Sequence, residues 1–475
     1  MAFRPAGTWR QGHERRSLAT PARQQSRLAD RKAGRSGAAR QGVRRPGVPR
    51  KRQAGRDDPR PRRSTGHRRI LRPQRPCLRP SRRTSRSTSM STYHFVQPLD
   101  VLMIRGNKSF GGDGQHGEAV MPPWPSLFAG AFRSALLGKD AGQLASFAHA
   151  GDRLAGDLGA VLGSRDEPGS FAINWLSLAI LGAEAGVPLA IVPLPADLVA
   201  FDAPRVAPLV SLQPTSPPAG SMASGGLPLV AHLRIARQAK PQAGRWLDAA
   251  GLAAYLRGEL PARTLSSADL FKRETRLGIA LDSGSRTAAD GALYTSEAIA
   301  LDSSVGFLVG CEGDGGQLAK TGHLRLGGDG KGARYRAIAF TAPVVPRHAI
   351  TARRCFRIIL ATPGVFAGGW LPERVTRCGA GDYRLEGEGF SARLACAAVP
   401  RFDTISGWDL ARQQPKTAQR VAPAGSVYWF DDFAGDVGKL AEWVASGLWG
   451  DNPDRQRRAE GFNRAWLGLW RRNTS

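Results

Sequence analysis

The sequence predicts an α+β fold with two antiparallel sheets backed by helices, on three observations. Short apolar, β-branched runs of strand length recur between residues 91 and 470, and amphipathic runs with the 3.6-residue period sit between some of them. The order of strand-like and helix-like patterns also repeats, once before and once after Pro346.

HFVQPLDVLMIR (His94 to Arg105) is apolar and β-branched enough for a buried strand and runs into a polar turn, RGNKSFGGDGQHGE. In MPPWPSLFAGAFRSALLG, Pro125 suits the first helical position. Leu127, Phe128, Ala131, Phe132, Ala135 and Leu136 share one helical face, and Gly138 ends the run. FAINWLSLAIL (Phe171 to Leu181) fits a strand or a buried helix; the prolines of the following IVPLPADL favour a strand. Residues 201–230, rich in Pro, Ser and Gly, suit a surface loop.

Between Ser266 and Leu301 two strand-like pieces flank a Gly/Ser turn, and LYTSEAIAL with VGFLVGCEG predicts a hairpin around Asp302, Ser303 and Ser304. A short helix, the glycine loop GHLRLGGDGKG and the strand ARYRAIAF complete a β-α-β-β-α-β order, the split βαβ of the ferredoxin-like (RRM-like) fold. Past Pro346, CFRIILATPGVF, FSARLACAAV, SVYWF and AWLGLW supply strands and DVGKLAEWVASGLW an amphipathic helix. This second unit lacks an evident first helix. The expected domains are residues 90–345, carrying long loop and hairpin insertions, and residues 346–475.

Charge is unevenly placed along the 475 residues. Residues 1–89 hold 27 basic and 4 acidic side chains, a net +23; the remainder holds 41 and 35, a net +6. The leader is dominated by Arg, Pro, Ser, Gly and Gln without apolar period, so no core can form and disorder is expected. It reads either as an arginine-rich arm that binds nucleic acid by counterion release or, preferentially, as a stretch ahead of the true start at Met90.

Five cysteines, Cys77, Cys311, Cys355, Cys378 and Cys396, form no CxxC pair, which argues against zinc and a disulfide framework and fits a cytoplasmic protein. The most apolar stretch, Phe171 to Leu194, is broken by Asn174, Glu184, Pro188 and Pro193, so no membrane span is expected. The leader has no uninterrupted apolar region and is not a secretory signal.

Gly112, Gly114 and Gly117 spell GxGxxG, but Pro122, Pro123 and Pro125 delay the helix that would have to receive a pyrophosphate, so a dinucleotide site is not expected. GGDGKG (327–332) is no Walker loop, since Arg325 replaces the first glycine and Gly332 follows Lys331. Its Gly327, Gly328, Gly330 and Gly332 still let backbone amides approach a phosphate, with Arg325, Lys331, Arg334 and Arg336 supplying cations. A plain surface turn is the alternative.

Arg105, Asn107, Lys108 and Phe110 of RGNKSF mix cations, an amide and an aromatic ring, as single-stranded RNA requires; a solvated turn with Phe110 in the core is the competing reading. Lys272, Arg273 and Arg276 of FKRETR add basic groups on one segment, ordinarily a solvated run. Catalytic signals are sparse. His116 in its glycine loop is a general-base candidate without a partner to tune it. Asp431 and Asp432, if on one strand, would point to opposite faces and suit neither metal nor shared acid–base work. No cofactor or metal is expected.

These segments in chain order resemble the third Cmr subunit of type III-B CRISPR effector complexes, a RAMP-superfamily protein. PLDVLMIR followed by GGDGQHGEAVMPPWPSLFAGAFRSAL resembles that family's opening strand, loop and PPxPS-x-x-G-A-x-R helix, and VPLPADL its PxPxDL segment. ETRLGIALDSGSRTAADGALYTSEAIAL is similar to its long central hairpin, GHLRLGGDG to its glycine-rich loop, and GWDLARQQPKTAQRVAPAGSVYWF and GFNRAWLGLW to its late strands. The resemblance covers residues 91 to about 470.

It implies two ferredoxin-like domains and a non-catalytic scaffold holding the 5′ tag of CRISPR RNA, joined to the large polymerase-like subunit and to backbone RAMP subunits. Target cleavage in that family belongs to other subunits. By the same resemblance, Gly327, Gly328, Gly330 and Lys331 would cradle phosphate, with Arg105, Asn107 and Lys108 beside the first strand. The rival expectation is a metal-independent RAMP endoribonuclease that processes repeat RNA through His116.

Overall fold

The computed structural model describes residues 91–472 apart from 105, 107–115, 149–153, 165, 183–186, 203–205, 221–225, 283 and 410–413. Its first half contains β1 (Thr92–Pro98), α1 (Pro125–Leu137), β2 (Ala172–Leu181), β3 (Pro188–Pro193), α2 (Ala249–Leu256), β4 (Phe271–Leu281), β5 (Ala288–Leu301), β6 (Val305–Glu312), β7 (Thr321–Arg325) and β8 (Gly332–Ile338). Eight strands form an antiparallel sheet in the order Leu265–Ser266, Arg245–Leu247, β3, β2, β6, β1, β8, β7.

The sequence explains this placement. β6, VGFLVGCE, is apolar almost throughout because it lies at the sheet's centre and is covered on both faces. α1 begins with a proline, whose missing N–H is no loss in a first turn. Its Phe128, Phe132 and Leu136, four residues apart, are at most 1% exposed. Phe128 meets Phe307 at 4.9 Å and Phe132 meets Tyr335 at 5.4 Å. Burying each such side chain stabilises by about 1.5–3 kcal/mol, which holds α1 on one sheet face.

The second half contains β9 (Phe356–Leu360), β10 (Phe390–Ala398), β11 (Val427–Gly435), α3 (Val437–Ala445), α4 (Arg455–Glu460) and β12 (Ala465–Leu469). A six-stranded sheet runs Val375–Gly379, Asp382–Gly387, β10, β11, β9, β12. Asp436 caps α3 by accepting from the Gly438 amide at 2.6 Å, and Leu440, Ala441 and Val444 form its buried stripe.

The chain is thus a mixed α/β fold dominated by antiparallel sheets. In both sheets four consecutive strands stand in the same chain order: second, third, first, fourth (β2-β6-β1-β8 and β10-β11-β9-β12).

Four sequence expectations change. The short helix before the glycine loop is absent among the described residues: 313–320 form turns, with Gly313, Gly315 and Gly316 at positive φ, and a side chain at Gly313 would strike the Ser170 backbone. LYTSEAIAL and VGFLVGCEG do not pair as a hairpin. β5 pairs with β4, in a smaller sheet that also takes His116–Gly117, while β6 crosses into the main sheet after the turn at Asp302.

The 201–230 stretch carries short strands, Leu209–Ser211 and Gln213–Thr215 among them, and Leu229 packs on a buried cluster. Asp431 and Asp432 do not part to opposite faces. Asp432 takes a φ of 53° beside a register shift, so its Oδ2 lies 3.5 Å from Arg393 Nε, the guanidinium that also grips buried Asp431 at 2.8 Å twice.

The sheets share buried apolar residues. Val192, Leu247, Leu252 and Leu256 of the first half pack with Ile359, Ala395, Val427 and Trp429 of the second. Arg464 reaches back with Nε to the Ile173 carbonyl at 3.2 Å and Nη2 to Glu312 Oε1 at 3.1 Å. The described residues all fall in one compact unit.

Candidate nucleic-acid interface

Two of the basic segments singled out in the sequence, the glycine loop with its flanking arginines and FKRETR, meet at one end of the first sheet. β1 leads through Asp100 to Leu102, which exchanges two backbone hydrogen bonds with Ile299 of β5 at 2.8 and 2.9 Å. The next carbonyl, Met103 O, accepts from the Gly328 amide at 2.7 Å. The glycine loop is therefore seated on the exit of β1, beside the β4–β5 arm.

Gly327 has a φ of +85°, and a Cβ there would lie 2.7 Å from Met103 O, so both its conformation and the close approach require glycine. Asp329 and Gly330 also have positive φ, 58° and 64°. Leu326 N to Lys331 O (2.9 Å) and Lys331 N to Gly328 O (3.3 Å) close the turn. The amides of Gly327, Asp329 and Gly330 have no acceptor among the described residues. Free amides on a left-handed turn are the groups that cradle an oxyanion.

Strand alternation sorts the cations. Leu324, Ala333 and Tyr335 are buried toward α1, leaving Arg325 of β7 and Arg334 and Arg336 of β8 on the opposite face. The register places His323 across from Arg334 and Thr321 across from Arg336, and Gln97 of β1 beside Arg334 on the other side. Arg334 donates to Gln97 Oε1 from Nε (3.1 Å) and Nη2 (2.6 Å), a neutral acceptor that leaves its charge uncompensated. Arg325 and Arg336 are exposed and have no ion pair among the described residues.

Lys331 differs: its ammonium is paired with Asp100. That hydrogen bond, the Val101 amide and the nearby charge of Arg276 hold the Asp100 carboxyl below the usual carboxylate range.

On β4, Lys272 is exposed, Arg276 pairs loosely with Glu274 at 3.4 Å, and Arg273 is committed inward, donating from Nη1 to Glu297 (2.9 Å) and to the Ala119 carbonyl (2.6 Å). Arg273 is thus a brace for the arm. Arg105, Asn107, Lys108 and Phe110 lie outside the described residues, as do Gly112 and Gly114. His116 contributes backbone pairing with Thr295.

Sequence reasoning passed over Asp100, Gln97 and His323. Alternation along TGHLR would have placed His323 beside the arginines; nothing local marks Asp100 as the partner of a lysine 231 residues away. Among the described residues no group of three or more His, Cys, Asp or Glu is placed to hold a metal, and no helix is long and apolar enough to cross a membrane.

Antiparallel sheets with few helices, and a basic, glycine-looped edge on one of them, define the chain as a mixed α/β protein with a surface suited to anions. It belongs to the CRISPR-associated protein (Cas_Cmr3) family, whose pattern matches residues 94–470.

Among solved structures, a chain of the type III-B Cmr-beta complex bound to cognate target RNA is 14% identical, with 78% of this chain and 94% of that one covered at a TM-score of 0.42. The same complex with target RNA and AMPPnP gives 14%, 78%, 95% and 0.42. A Csm3-Csm4 subcomplex of a type III-A interference complex gives 10%, 73%, 94% and 0.29. No curated protein matches the sequence.

Proposed function

We propose that the chain is a non-catalytic RNA-binding subunit of a type III-B ribonucleoprotein, the third Cmr subunit, gripping the 5′ tag of CRISPR RNA and bridging the large subunit to the RAMP backbone. In this reading each sheet is a ferredoxin-like unit that keeps one crossover helix and replaces the other, the first by the turns at 313–320 and the second by the hairpin of Val375–Gly379 and Asp382–Gly387. Family membership over residues 94–470 supports the assignment to a CRISPR effector.

The observation that carries the RNA reading is the convergence at the first sheet's edge. Three amides of a left-handed glycine turn adjoin a face bearing Arg325, Arg334 and Arg336, with Lys272 and Arg276 on the neighbouring arm. Amides fix a phosphate at short range, and unpaired arginines add long-range attraction that sequence-independent RNA contacts need.

The test is equilibrium binding of tag-bearing RNA to the assembled complex over a salt series. Arg325→Ala with Arg336→Ala lowers affinity and reduces the log–log salt slope by about one to two, one for each phosphate no longer neutralised. Unaltered affinity and slope would reject the interface. Cleavage of repeat RNA by the purified chain, abolished by His116→Ala, would instead establish the endoribonuclease.

A further inference from the structure

Between α1 and α4 lies a guanidinium edge without a hydrogen-bond partner. Arg133, on the third turn of α1, feels the Glu460 carboxylate of α4. Its Nε and Nη2 are both enclosed, and neither has a hydrogen-bond partner. Glu460 is itself buried and fully engaged: Oε1 accepts from Lys416 Nζ at 3.2 Å and Gln456 Nε2 at 3.3 Å, and Oε2 from Arg457 Nη1 at 2.9 Å. Arg457 places its Nε on Gln419 Oε1 at 2.8 Å. Lys416 and Arg457 therefore share one carboxylate, whose charge Arg133 also feels across the packed helices.

The orphaned edge has a defined chemistry. Elsewhere in this chain Nε and Nη2 of Arg393 act together as a two-pronged donor, to Oδ1 and Oδ2 of Asp431 at 2.8 Å each. Planar bidentate recognition of this kind selects carboxylate or phosphate. Enclosing those donors unmet is unfavourable, so the position favours an incoming acceptor.

We propose that Arg133, Lys416 and Arg457 form a binding site for a phosphate group, from either the RNA backbone or free phosphate. Two features favour phosphate over a carboxylate. The cluster carries three positive charges against one negative. A carboxylate's two oxygens would be taken up by the Arg133 edge alone, whereas a phosphate has further oxygens for the remaining protons of Lys416, whose side chain is 35% exposed and marks a way in. None of these residues belongs to the glycine loop or the basic sheet face, so the site stands or falls apart from the interface proposed above.

The experiment is thermal unfolding of the full chain in inorganic phosphate, in chloride of equal ionic strength, in acetate and with single-stranded RNA. Phosphate is expected to raise the parent's midpoint by several degrees more than chloride. Arg133→Met, which removes an unmet buried charge, melts no lower than the parent without phosphate and loses the response; Arg133→Lys keeps part of it. Should Arg133→Met fail to fold, Lys416→Gln at the half-open mouth shows the loss instead. Protection by RNA but not by free phosphate, lost in Arg133→Met, assigns the site to the RNA backbone. Equal responses in parent and variants, acetate matching phosphate, or no protection by either ligand overturns the proposal.

Discussion

Arg357 Nη1 lies 2.7 Å from Asp197 Oδ2, joining two residues 160 positions apart across the boundary between the sheets. Asp197 is fully buried, and its Oδ1 accepts from the Tyr255 hydroxyl at 2.6 Å. The Arg357 guanidinium lies 4.0 Å above the Tyr255 ring and donates from Nη2 to the Tyr255 carbonyl at 2.7 Å. Asp197 is the acid of VPLPADL, so that segment serves here as a pin between the halves.

Breaking the pin from one side should cost far more than removing it. Arg357→Met leaves a buried carboxylate unpaired and Asp197→Leu a buried guanidinium, each destabilising by about 3–5 kcal/mol. The double variant should lose less than the sum of the two. Urea unfolding of the three variants measures this, and strict additivity would show the pair to be uncoupled.

Legibility in the sequence followed the range of the interaction. α1 was readable because Phe128, Phe132 and Leu136 repeat at its own period, and the glycine loop because its residue types answer a local backbone demand. The partners of Lys331 and Arg357 were not readable: each lies well over a hundred residues away and is brought in by tertiary packing, which no local pattern encodes. The expected helix before the loop failed because glycines at 313, 315 and 316 turn the chain, the first of them against the Ser170 backbone.

Acid should destabilise the fold through His94. Its ring is buried between Phe132 (5.4 Å) and Tyr335 (5.5 Å), and its Nδ1 has no partner. Burial lowers its pKa from 6.5 to about 4, against an opposing pull from Asp314. Between those values the unfolded chain binds a proton that the folded chain does not, so stability falls as pH drops through the window, by up to about 3 kcal/mol. His94→Leu should flatten this slope in unfolding free energies measured from pH 7 to 4; an undiminished slope assigns it to other groups.

Asp100 should restrain RNA binding. Its pairing with Lys331 neutralises the one lysine in the glycine loop. Asp100→Asn is therefore expected to tighten RNA binding and steepen the salt slope by about one, whereas Lys331→Ala alone changes the slope little. Filter-binding titrations at several salt concentrations separate these outcomes, and a weaker Asp100→Asn complex would contradict the assignment.

The loop glycines should not be equivalent. Gly327→Ala sets a side chain at a φ of +85° and 2.7 Å from Met103 O, and is expected to destabilise by about 1–3 kcal/mol and to weaken RNA binding. Gly330→Asn, at a φ of +64° in open space, should be tolerated. Thermal midpoints of the two variants decide it.

The β4–β5 arm should be a contact for neighbouring subunits. Leu277 and Ile279 alternate on one face of β4, Leu281 follows past a register shift, Leu293 stands opposite Ile279 on β5, and the four are 50–68% exposed. The other face is closed locally, with the Tyr294 ring lying over Gly278. A two-stranded arm is marginally stable alone, and an apolar stripe along it is a liability unless something covers it. Leu277→Ser with Ile279→Thr should leave the isolated chain's melting midpoint nearly unchanged, since both side chains already face water. Assembly should weaken by about 2 kcal/mol, roughly thirtyfold, as half of each side chain's burial is forfeited. Undiminished affinity for the other subunits of the complex would show that the stripe stays uncovered after assembly.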